Sequence, residues 1–378
     1  MLSPVFQNAA FDYYHNRRRG DIFYPPQLHK FLPPDKTDDA AAIIKQWRGY
    51  APTPLYALPN VAALCNVGGV YYKDESARFG IGSFKALGAG YAVNTMAKAT
   101  KAKTAKTTIA AATDGNHGRA VAWAAQRMGC QCRIYLHAGV SGGRQKAIEK
   151  FGAIITRIDG NYDDSLRAAL ADSRANGWKL ISDTVCGSLR RAPGLVMAGY
   201  GLMADEVIDQ MPPGVLPSHL FAQGGVGGFA AAMCARFWHR LGKARGRFAV
   251  VEPDMAACLL ASARAGKSRA VMVREETVMA GLSCGEPSSL ALPVLLAGAH
   301  DFVAIPDAVV APAMKILHDN KPRIIAGESA VAGLALLLMA AAQPKLYRHL
   351  GLSKTAVILL FGTEGATDAK IYKQMIGK

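Results

Sequence analysis

In the stretch Tyr71–Lys85, YYKDESARFGIGSFK, a pattern typical of a strand ends and one typical of a helix begins. The prediction of the fold starts from this change. Residues 70–72 are β-branched and aromatic, which predicts a short strand. Polar residues and glycines follow, and the small and apolar residues of 86–97 then predict a helix. A lysine at such a junction, Lys85, can lie in a cleft, where desolvation lowers the pKa of its ammonium group and makes the neutral amine a nucleophile for carbonyl groups. By itself this signal is weak, because most lysines are solvated.

Strands and helices alternate along most of the remaining chain. Strands are predicted at 107–112, 132–136, 154–158, 180–182, 219–223, 248–251 and 357–361, and helices at 119–128, 141–151, 162–176, 195–210, 229–241 and 331–342. Residues 1–50 are expected to be irregular apart from a helix at 38–48. This alternation predicts an α/β fold with largely parallel sheets flanked by helices.

Two domains are expected, because 378 residues exceed the size at which a single core usually stops growing. The clearest linker is the proline-rich stretch 211–217, MPPGVLP. We therefore predict a large domain of residues 1–87 and 212–378 and a small domain of residues 88–211.

The composition excludes several classes of protein. Apolar residues make up 51% and charged residues 19%, which argues against long disordered tracts. No apolar run approaches the roughly 20 residues that span a bilayer, and the N-terminal residues do not resemble a secretory signal. Seven cysteines without zinc-type pairs indicate reduced thiols in a cytoplasmic protein and no metal site. The net charge of +16 is spread over scattered basic residues, so no nucleic-acid partner is expected.

The strongest binding motif is the loop QGGVGGF, residues 223–229, between a predicted strand and a predicted helix. The loop residues Gly224, Gly225, Val226, Gly227 and Gly228 allow the backbone to curl around an anion, with the helix N-terminus supplying N–H groups. The spacing and position differ from a dinucleotide fingerprint, so a single phosphate is the better interpretation. A tight turn without a ligand is the alternative.

A second motif, ATDGNHG at residues 112–118, also lies at a strand-to-helix turn. Such turns direct short polar side chains into a crevice at the ends of the strands. His117 could be catalytic, but a hydrogen-bonded structural role is the favoured interpretation.

Together these motifs resemble the fold-type II pyridoxal-phosphate enzymes, the group of tryptophan synthase β and threonine dehydratase. Longer blocks between Pro52 and Asp368 are similar to the diaminopropionate ammonia-lyases. These blocks are KDESARFGIGSFKALG, ATDGNHGRAVAWAAQRMG, NYDDS, AGLSCGEP, PRIIAGES and TEGATD.

The resemblance implies a homodimeric lyase whose large domain binds pyridoxal phosphate. Lys85 would hold the cofactor covalently, Asn116 would hydrogen-bond its ring oxygen, and the glycine loop would bind its phosphate. Thr363 would face the pyridine nitrogen. A neutral hydroxyl there cannot keep that nitrogen protonated as a carboxylate would, and this suits elimination chemistry.

One departure from the dehydratases indicates the substrate. Where they commonly carry Ser-Ser-Gly or Ser-Ala-Gly and bind the substrate carboxylate, this chain has Thr113-Asp114-Gly115. An ionised Asp114 repels a carboxylate and attracts an ammonium group, which favours 2,3-diaminopropionate and its α,β-elimination to pyruvate and ammonia. Asp114 could also take the Cα proton on the face opposite Lys85. Asp183 is either a second carboxylate for the substrate amine or the N-cap of a following turn.

The sequence leaves other functions open. The nearest alternative is a serine or threonine dehydratase or another β-eliminating enzyme of the same fold, and a more distant one is a polyanion-binding protein with an inactive enzyme fold. The lyases typically have Ala-Gly-Val-Gly-Ala where this chain has GGVGG, a change expected to be harmless, and a longer insert near the lysine-rich 98–106. Cys258 and Cys284 are expected to lie near each other, although a reducing compartment disfavours a disulfide between them.

Overall fold

The computed structural model describes residues 2–20, 23–99, 104–113, 115–185 and 187–377. Its strands are β1 (Asp12–His15), β2 (Leu55–Ala57), β3 (Gly69–Asp74), β4 (Thr108–Ala112), β5 (Gln131–His137), β6 (Ile154–Ile158), β7 (Lys179–Leu180), β8 (His219–Gln223), β9 (Arg247–Pro253), β10 (Asp301–Ile305) and β11 (Val357–Gly362). Its α-helices are α1 (Pro4–Asn8), α2 (Pro34–Lys45), α3 (Pro59–Cys65), α4 (Lys85–Lys98), α5 (Asn116–Met128), α6 (Gly142–Glu149), α7 (Tyr162–Asn176), α8 (Arg191–Gln210), α9 (Gly228–Leu241), α10 (Cys258–Ala265), α11 (Ala291–Gly298), α12 (Val310–His318), α13 (Ala332–Ala342), α14 (Pro344–Leu350) and α15 (Ala369–Met375).

The chain divides into two compact units. Unit 1 comprises residues 1–34, 52–77 and 203–378, and unit 2 comprises residues 35–51 and 78–202. The domain boundaries expected from the sequence, at 87/88 and 211/212, stay a prediction.

Unit 1 contains a seven-stranded sheet in the order β1-β10-β9-β8-β11-β3-β2. The five inner strands are parallel, and the two edge strands, β1 and β2, are antiparallel to their neighbours. Because β8 and β11 are parallel neighbours, with Ile358 opposite His219, their carboxyl ends lie at the same edge of the sheet. The residues that follow these two strands are therefore brought close together, which is where the binding site of an open parallel sheet normally lies.

Unit 2 contains a parallel sheet of four strands in the order β6-β5-β4-β7. Ala110 of β4 lies opposite Leu180 of β7, so the turns after these two strands are adjacent. One turn carries residues 113–118 and the other carries residues 181–183. The register thus brings two of the predicted motifs to one edge.

The most apolar stretch of the sequence forms a helix in the core of unit 1. Helix α13 is buried from Ala332 through Ala340 and packs among strands and helices of the same unit. Within the described residues, no helix is both long and apolar enough to cross a bilayer.

The expectation of an irregular N-terminal region was wrong. Residues 12–15 form β1, which pairs with β10 in the register Asp12 to Ala304 and His15 to Asp301. Neither strand was predicted, because each is short and is stabilised by a partner almost 300 residues away in the chain. Helix α5 also begins earlier than expected, at Asn116, for a reason that the site makes clear.

Candidate active site

Lys85 is the first residue of α4, and its amine is paired with a carboxylate in unit 2. Its Nζ lies 2.6 Å from Oδ2 of Asp183, and the Lys85 side chain is 24% exposed. The amine is partly exposed and lies next to an acid in the protein without cofactor, and its expected role as a desolvated nucleophile stays a prediction.

Asp183 is a carboxylate that stays ionised. Burial alone would raise its pKa, but the Lys85 ammonium and His117 lower the pKa well below the usual range of aspartate. Nδ1 of His117 lies 3.7 Å from Oδ2 of Asp183, and Nε2 of His117 bonds the carbonyl oxygen of Ile181 at 2.9 Å. Helix α8 begins only at Arg191, so Asp183 does not cap a helix, and its alternative role as the N-cap of a following turn stays a prediction.

The ionisation of Asp183 gives a prediction for the protein without cofactor. Because its folded pKa is lowered, the stabilisation from the Lys85–Asp183 pair is present above the pKa of an unfolded aspartate, about 3.9, and is lost as the pH falls below it. We expect Asp183→Asn to lower the midpoint of urea unfolding by a constant amount between pH 5 and 8. That difference should shrink below pH 4, and a difference that grows on acidification would contradict the assignment.

Tyr200 of α8 is a further neighbour of Lys85, and no motif in the sequence points to it. It is 2% exposed, the charge of Lys85 acts on its hydroxyl, and its ring packs on Phe84 with centroids 4.6 Å apart. Burial raises the pKa of Tyr200 to about 12, although the Lys85 ammonium opposes this shift. The phenol therefore stays protonated beside the amine at neutral pH.

Glycines allow α4 and α8 to approach each other closely enough for this contact. A Cβ added to Gly88 would lie 2.5 Å from Cε1 of Tyr200 and 2.6 Å from the carbonyl oxygen of Val196. A Cβ added to Gly199 would lie 2.6 Å from the carbonyl oxygen of Leu87. These distances leave no room for a side chain at either position.

We expect Gly88→Ala to destabilise the protein by about 1–3 kcal/mol, the usual cost of an added methyl group in a packed interior. The matched control is Gly194→Ala in α8, where an added Cβ meets no atom within 4 Å. The control should be neutral or stabilising by up to ~1 kcal/mol, because alanine favours helix. Thermal unfolding of both variants checks this, and equal midpoints would contradict the close approach.

The turn after β4 is organised by Thr113. Its buried hydroxyl accepts hydrogen bonds from the backbone N–H groups of Gly115, at 3.0 Å, and Gly118, at 2.9 Å. The second bond satisfies an N–H group of the first helical turn, which allows α5 to begin at Asn116 and not at Arg119. The structure gives Thr113 a capping role, and its contact with substrate stays a prediction. Asp114, the predicted base, lies outside the described residues.

Asn116 is oriented by its neighbour in α5. Nη2 of Arg119 donates to its Oδ1 at 3.0 Å. The opposite end of the amide, Nδ2, is thus the end that can donate to a ligand.

The glycine loop lies in unit 1, between β8 and α9, and Gly224, Gly225 and Gly227 are too tightly packed to carry side chains. Gly227 has a φ of +93°, which favours glycine. A Cβ on Gly225 would lie 3.0 Å from Sγ of Cys284 and 3.1 Å from the carbonyl oxygen of Gly281. The loop leads into the 14-residue helix α9, whose N-terminal N–H groups favour an anion.

A buried acid and two thiols border this loop. The carboxylate of Glu252 accepts from the N–H groups of Leu259 and Leu260, each at 2.7 Å, and burial raises its pKa to about 8 despite these bonds. Cys258 lies 3.7 Å from the carbonyl oxygen of Gly225, and its pKa is raised by burial, by Glu252 and by Cys284. Cys258 and Cys284 are thus neighbours, as expected, and they are not joined by a disulfide.

Thr363 follows β11 and is reached by Gln223, the residue immediately before the glycine loop. Nε2 of Gln223 donates to Oγ1 of Thr363 at 2.8 Å, and both side chains are buried. The parallel register of β8 and β11 therefore places the predicted phosphate loop and the predicted partner of the pyridine nitrogen side by side.

Each unit by itself carries groups that suit pyridoxal phosphate. In unit 1 the glycine loop leads into the N-terminus of α9 and Thr363 offers a hydroxyl for a ring nitrogen. In unit 2 Lys85 offers an amine for an aldehyde. Ser83 Oγ, two residues before Lys85, is buried and has no hydrogen-bond partner among the described residues. No group of three or more metal-ligating side chains occurs in the part of the chain that the structure describes.

Comparison with known proteins agrees with this fit. Residues 47–362 match the model of the pyridoxal-phosphate dependent enzyme family, and the chain belongs to that family. Its predicted fold-type II α/β architecture and its predicted cofactor, pyridoxal phosphate, are confirmed.

Its relatives include two curated diaminopropionate ammonia-lyases. The chain is 38% identical to that of Escherichia coli K12 over 349 residues, which cover 87% of this chain and 88% of the relative. It is 34% identical to that of Salmonella typhimurium LT2 over 367 residues, which cover 89% of this chain and 91% of the relative. The crystal structure of the Escherichia coli enzyme in complex with an aminoacrylate-PLP azomethine reaction intermediate matches with a TM-score of 0.89 and 36% identity, over 98% of this chain and 97% of that one.

Proposed function

We propose that this protein is a pyridoxal-phosphate dependent ammonia-lyase that converts 2,3-diaminopropionate to pyruvate and ammonia by α,β-elimination. Diaminopropionate ammonia-lyases that match most of this chain support the reaction. The observation that carries the substrate is the ionised carboxylate of Asp183, 2.6 Å from an ammonium group.

Asp183 explains how a second amino group is recognised. While Lys85 is bonded to the cofactor, as it would be when the substrate first binds, its amine is withdrawn from Asp183, and this carboxylate can pair with the β-ammonium of the arriving substrate. A serine or threonine hydroxyl offers no charge to this carboxylate. A half-buried carboxylate without a cationic partner is unfavourable, which favours a diamine over a hydroxy amino acid.

The other residues of the site have separate tasks. Bound pyridoxal phosphate supplies an aldehyde for the substrate amine and withdraws electrons from Cα, which makes the Cα proton acidic. Asn116, held by Arg119, donates from Nδ2 to the ring oxygen, and the loop 224–228 binds the phosphate. Lys85, released from the cofactor, takes the Cα proton of one enantiomer, and Asp114 takes that of the other.

Loss of the β-amino group completes the elimination. The β-ammonium group, held by the carboxylate of Asp183, leaves as neutral ammonia when its C–N bond breaks, and the phenol of Tyr200 lies in the same unit. The released aminoacrylate then hydrolyses in water to pyruvate and a second ammonia.

A substrate panel tests this assignment. Pyruvate formation should show a higher kcat/KM for D- or L-2,3-diaminopropionate than for serine or threonine, and Asp183→Asn should narrow the difference, mostly through KM. Faster turnover of serine or threonine would favour the dehydratase alternative. An unchanged preference in the variant would remove Asp183 from substrate recognition.

Two further properties belong to the same proposal. The resemblance supports a homodimer, which light scattering would test. The six cysteines of the described residues are all thiols, which is typical of the reducing cytoplasm.

A further inference from the structure

The amide of Gln223 has an orientation that its neighbours determine. Its Nε2 lies 2.9 Å from the carbonyl oxygen of Phe361, 3.1 Å from that of Ser329 and 2.8 Å from Oγ1 of Thr363. Carbonyl oxygens only accept hydrogen bonds, so the end of the amide that faces them must be the NH₂ group. The same NH₂ group therefore faces Thr363.

This orientation restricts the hydroxyl of Thr363. An amide nitrogen accepts no hydrogen bond, so Thr363 cannot donate to Gln223 and instead accepts from it. The hydroxyl proton must point away from Gln223, and no residue of the described chain accepts it. Thr363 is 2% exposed, and a buried donor without a partner costs roughly 1–3 kcal/mol.

We propose that Gln223 is a positioning residue that fixes Thr363 as a hydrogen-bond donor toward the ring nitrogen of pyridoxal phosphate and so keeps that nitrogen unprotonated. The inference rests on the proposed function, which places this nitrogen at Thr363. A neutral pyridine nitrogen accepts a hydrogen bond, whereas a protonated one donates. If the nitrogen were protonated, it and Gln223 would both donate to Thr363, and the hydroxyl proton would have no acceptor.

The consequence concerns the course of the reaction. An unprotonated ring withdraws electrons less strongly than a protonated one. Negative charge that develops at the substrate Cα is then relieved by departure of the β-amino group more readily than by return of a proton. Gln223 thereby favours elimination over racemisation without touching the substrate.

Nitrogen NMR of the holoenzyme tests the inference directly. The enzyme is loaded with pyridoxal phosphate labelled with ¹⁵N in the ring, and the chemical shift is followed from pH 6 to pH 9. We expect the wild-type shift to be that of an unprotonated pyridine at every pH. In Gln223→Met, which lacks the NH₂ group, the shift should move toward the protonated value as the pH falls.

A matched control separates this effect from the general loss of a buried amide. Gln343 also donates from Nε2 to two carbonyl oxygens, those of Phe6 at 2.7 Å and Ala9 at 2.9 Å, elsewhere in unit 1. Gln343→Met should therefore keep the wild-type shift at every pH. If Gln223→Met does not fold, Gln223→Asn is the alternative, because its side chain is one methylene group shorter and its amide lies farther from Thr363. In this variant too, the ¹⁵N chemical shift should move toward the protonated value as the pH falls.

The outcomes distinguish this inference from the proposed function. A protonated ring nitrogen in an active wild-type enzyme, or an unchanged shift in a folded and loaded Gln223 variant, would overturn the inference alone. A chain that takes up no cofactor would overturn both. Preference for a different amino acid would change the substrate and leave the role of Gln223 standing.

Discussion

Lys85→Ala should take up pyridoxal phosphate without a covalent link and lose nearly all turnover. The loss should exceed the roughly 10²- to 10⁴-fold contribution of a positioned general base, because the amine that releases the cofactor is removed as well. Borohydride reduction followed by peptide mass spectrometry should label Lys85 in the wild type and no lysine in the variant. Absorbance of the lysine-bound cofactor should disappear together with the label.

Two controls separate the covalent role from the ion pair with Asp183. Lys85→Arg keeps a cation at this position but cannot bond the aldehyde, so it should be as inactive as Lys85→Ala while retaining more stability in the protein without cofactor. Lys98→Ala removes an exposed lysine at the other end of the same helix and should leave turnover unchanged. Reduction that labels a different lysine would defeat the assignment of Lys85.

Asp114→Asn should lower turnover of one enantiomer of 2,3-diaminopropionate, which we expect to be D, by roughly two to four orders of magnitude. Asparagine preserves size and much of the hydrogen bonding but cannot accept the Cα proton. The other enantiomer, deprotonated by Lys85, should lose less. The measurement is kcat and KM for each enantiomer. The decrease for the enantiomer that Asp114 deprotonates should appear in kcat.

The competing role for Asp114 is to bind the β-ammonium group only. In that case both enantiomers should suffer alike, mostly in KM, because ground-state binding has been removed. Asp183→Asn is the matched comparison, since Asp183 is the carboxylate that the structure places beside an ammonium. Equal losses for D and L substrate in Asp114→Asn would defeat the two-base mechanism and leave the substrate assignment intact.

The parts of the fold that the sequence predicted well are those encoded by local patterns. Strands β6 and β8 and helix α7 have the predicted bounds, and the glycine loop and the 112–118 turn lie between strand and helix as expected. Alternation of residue types and the conformational preferences of glycine act over a few residues, so they are visible in one sequence.

The parts that were missed depend on residues far apart in the chain. Lys85 and Asp183 are 98 positions apart, and Gln223 and Thr363 are 140 apart. Tyr200 lies within a helix, and its proximity to Lys85 requires the close contact made by Gly88. No local pattern encodes such pairs, so the electrostatic state of Lys85 and the direction of the Thr363 hydroxyl emerge only from the fold.

The order of strands in the two sheets also has a consequence for synthesis on the ribosome. The four strands of unit 2 are consecutive in the chain, between Thr108 and Leu180, so they can pair as soon as that stretch has emerged. In unit 1, β1 pairs with β10, and β3 pairs with β2 early but with β11, whose last residue is Gly362, only late in synthesis. We therefore expect the small sheet to form during translation, while the seven-stranded sheet is completed only after nearly the whole chain has been made.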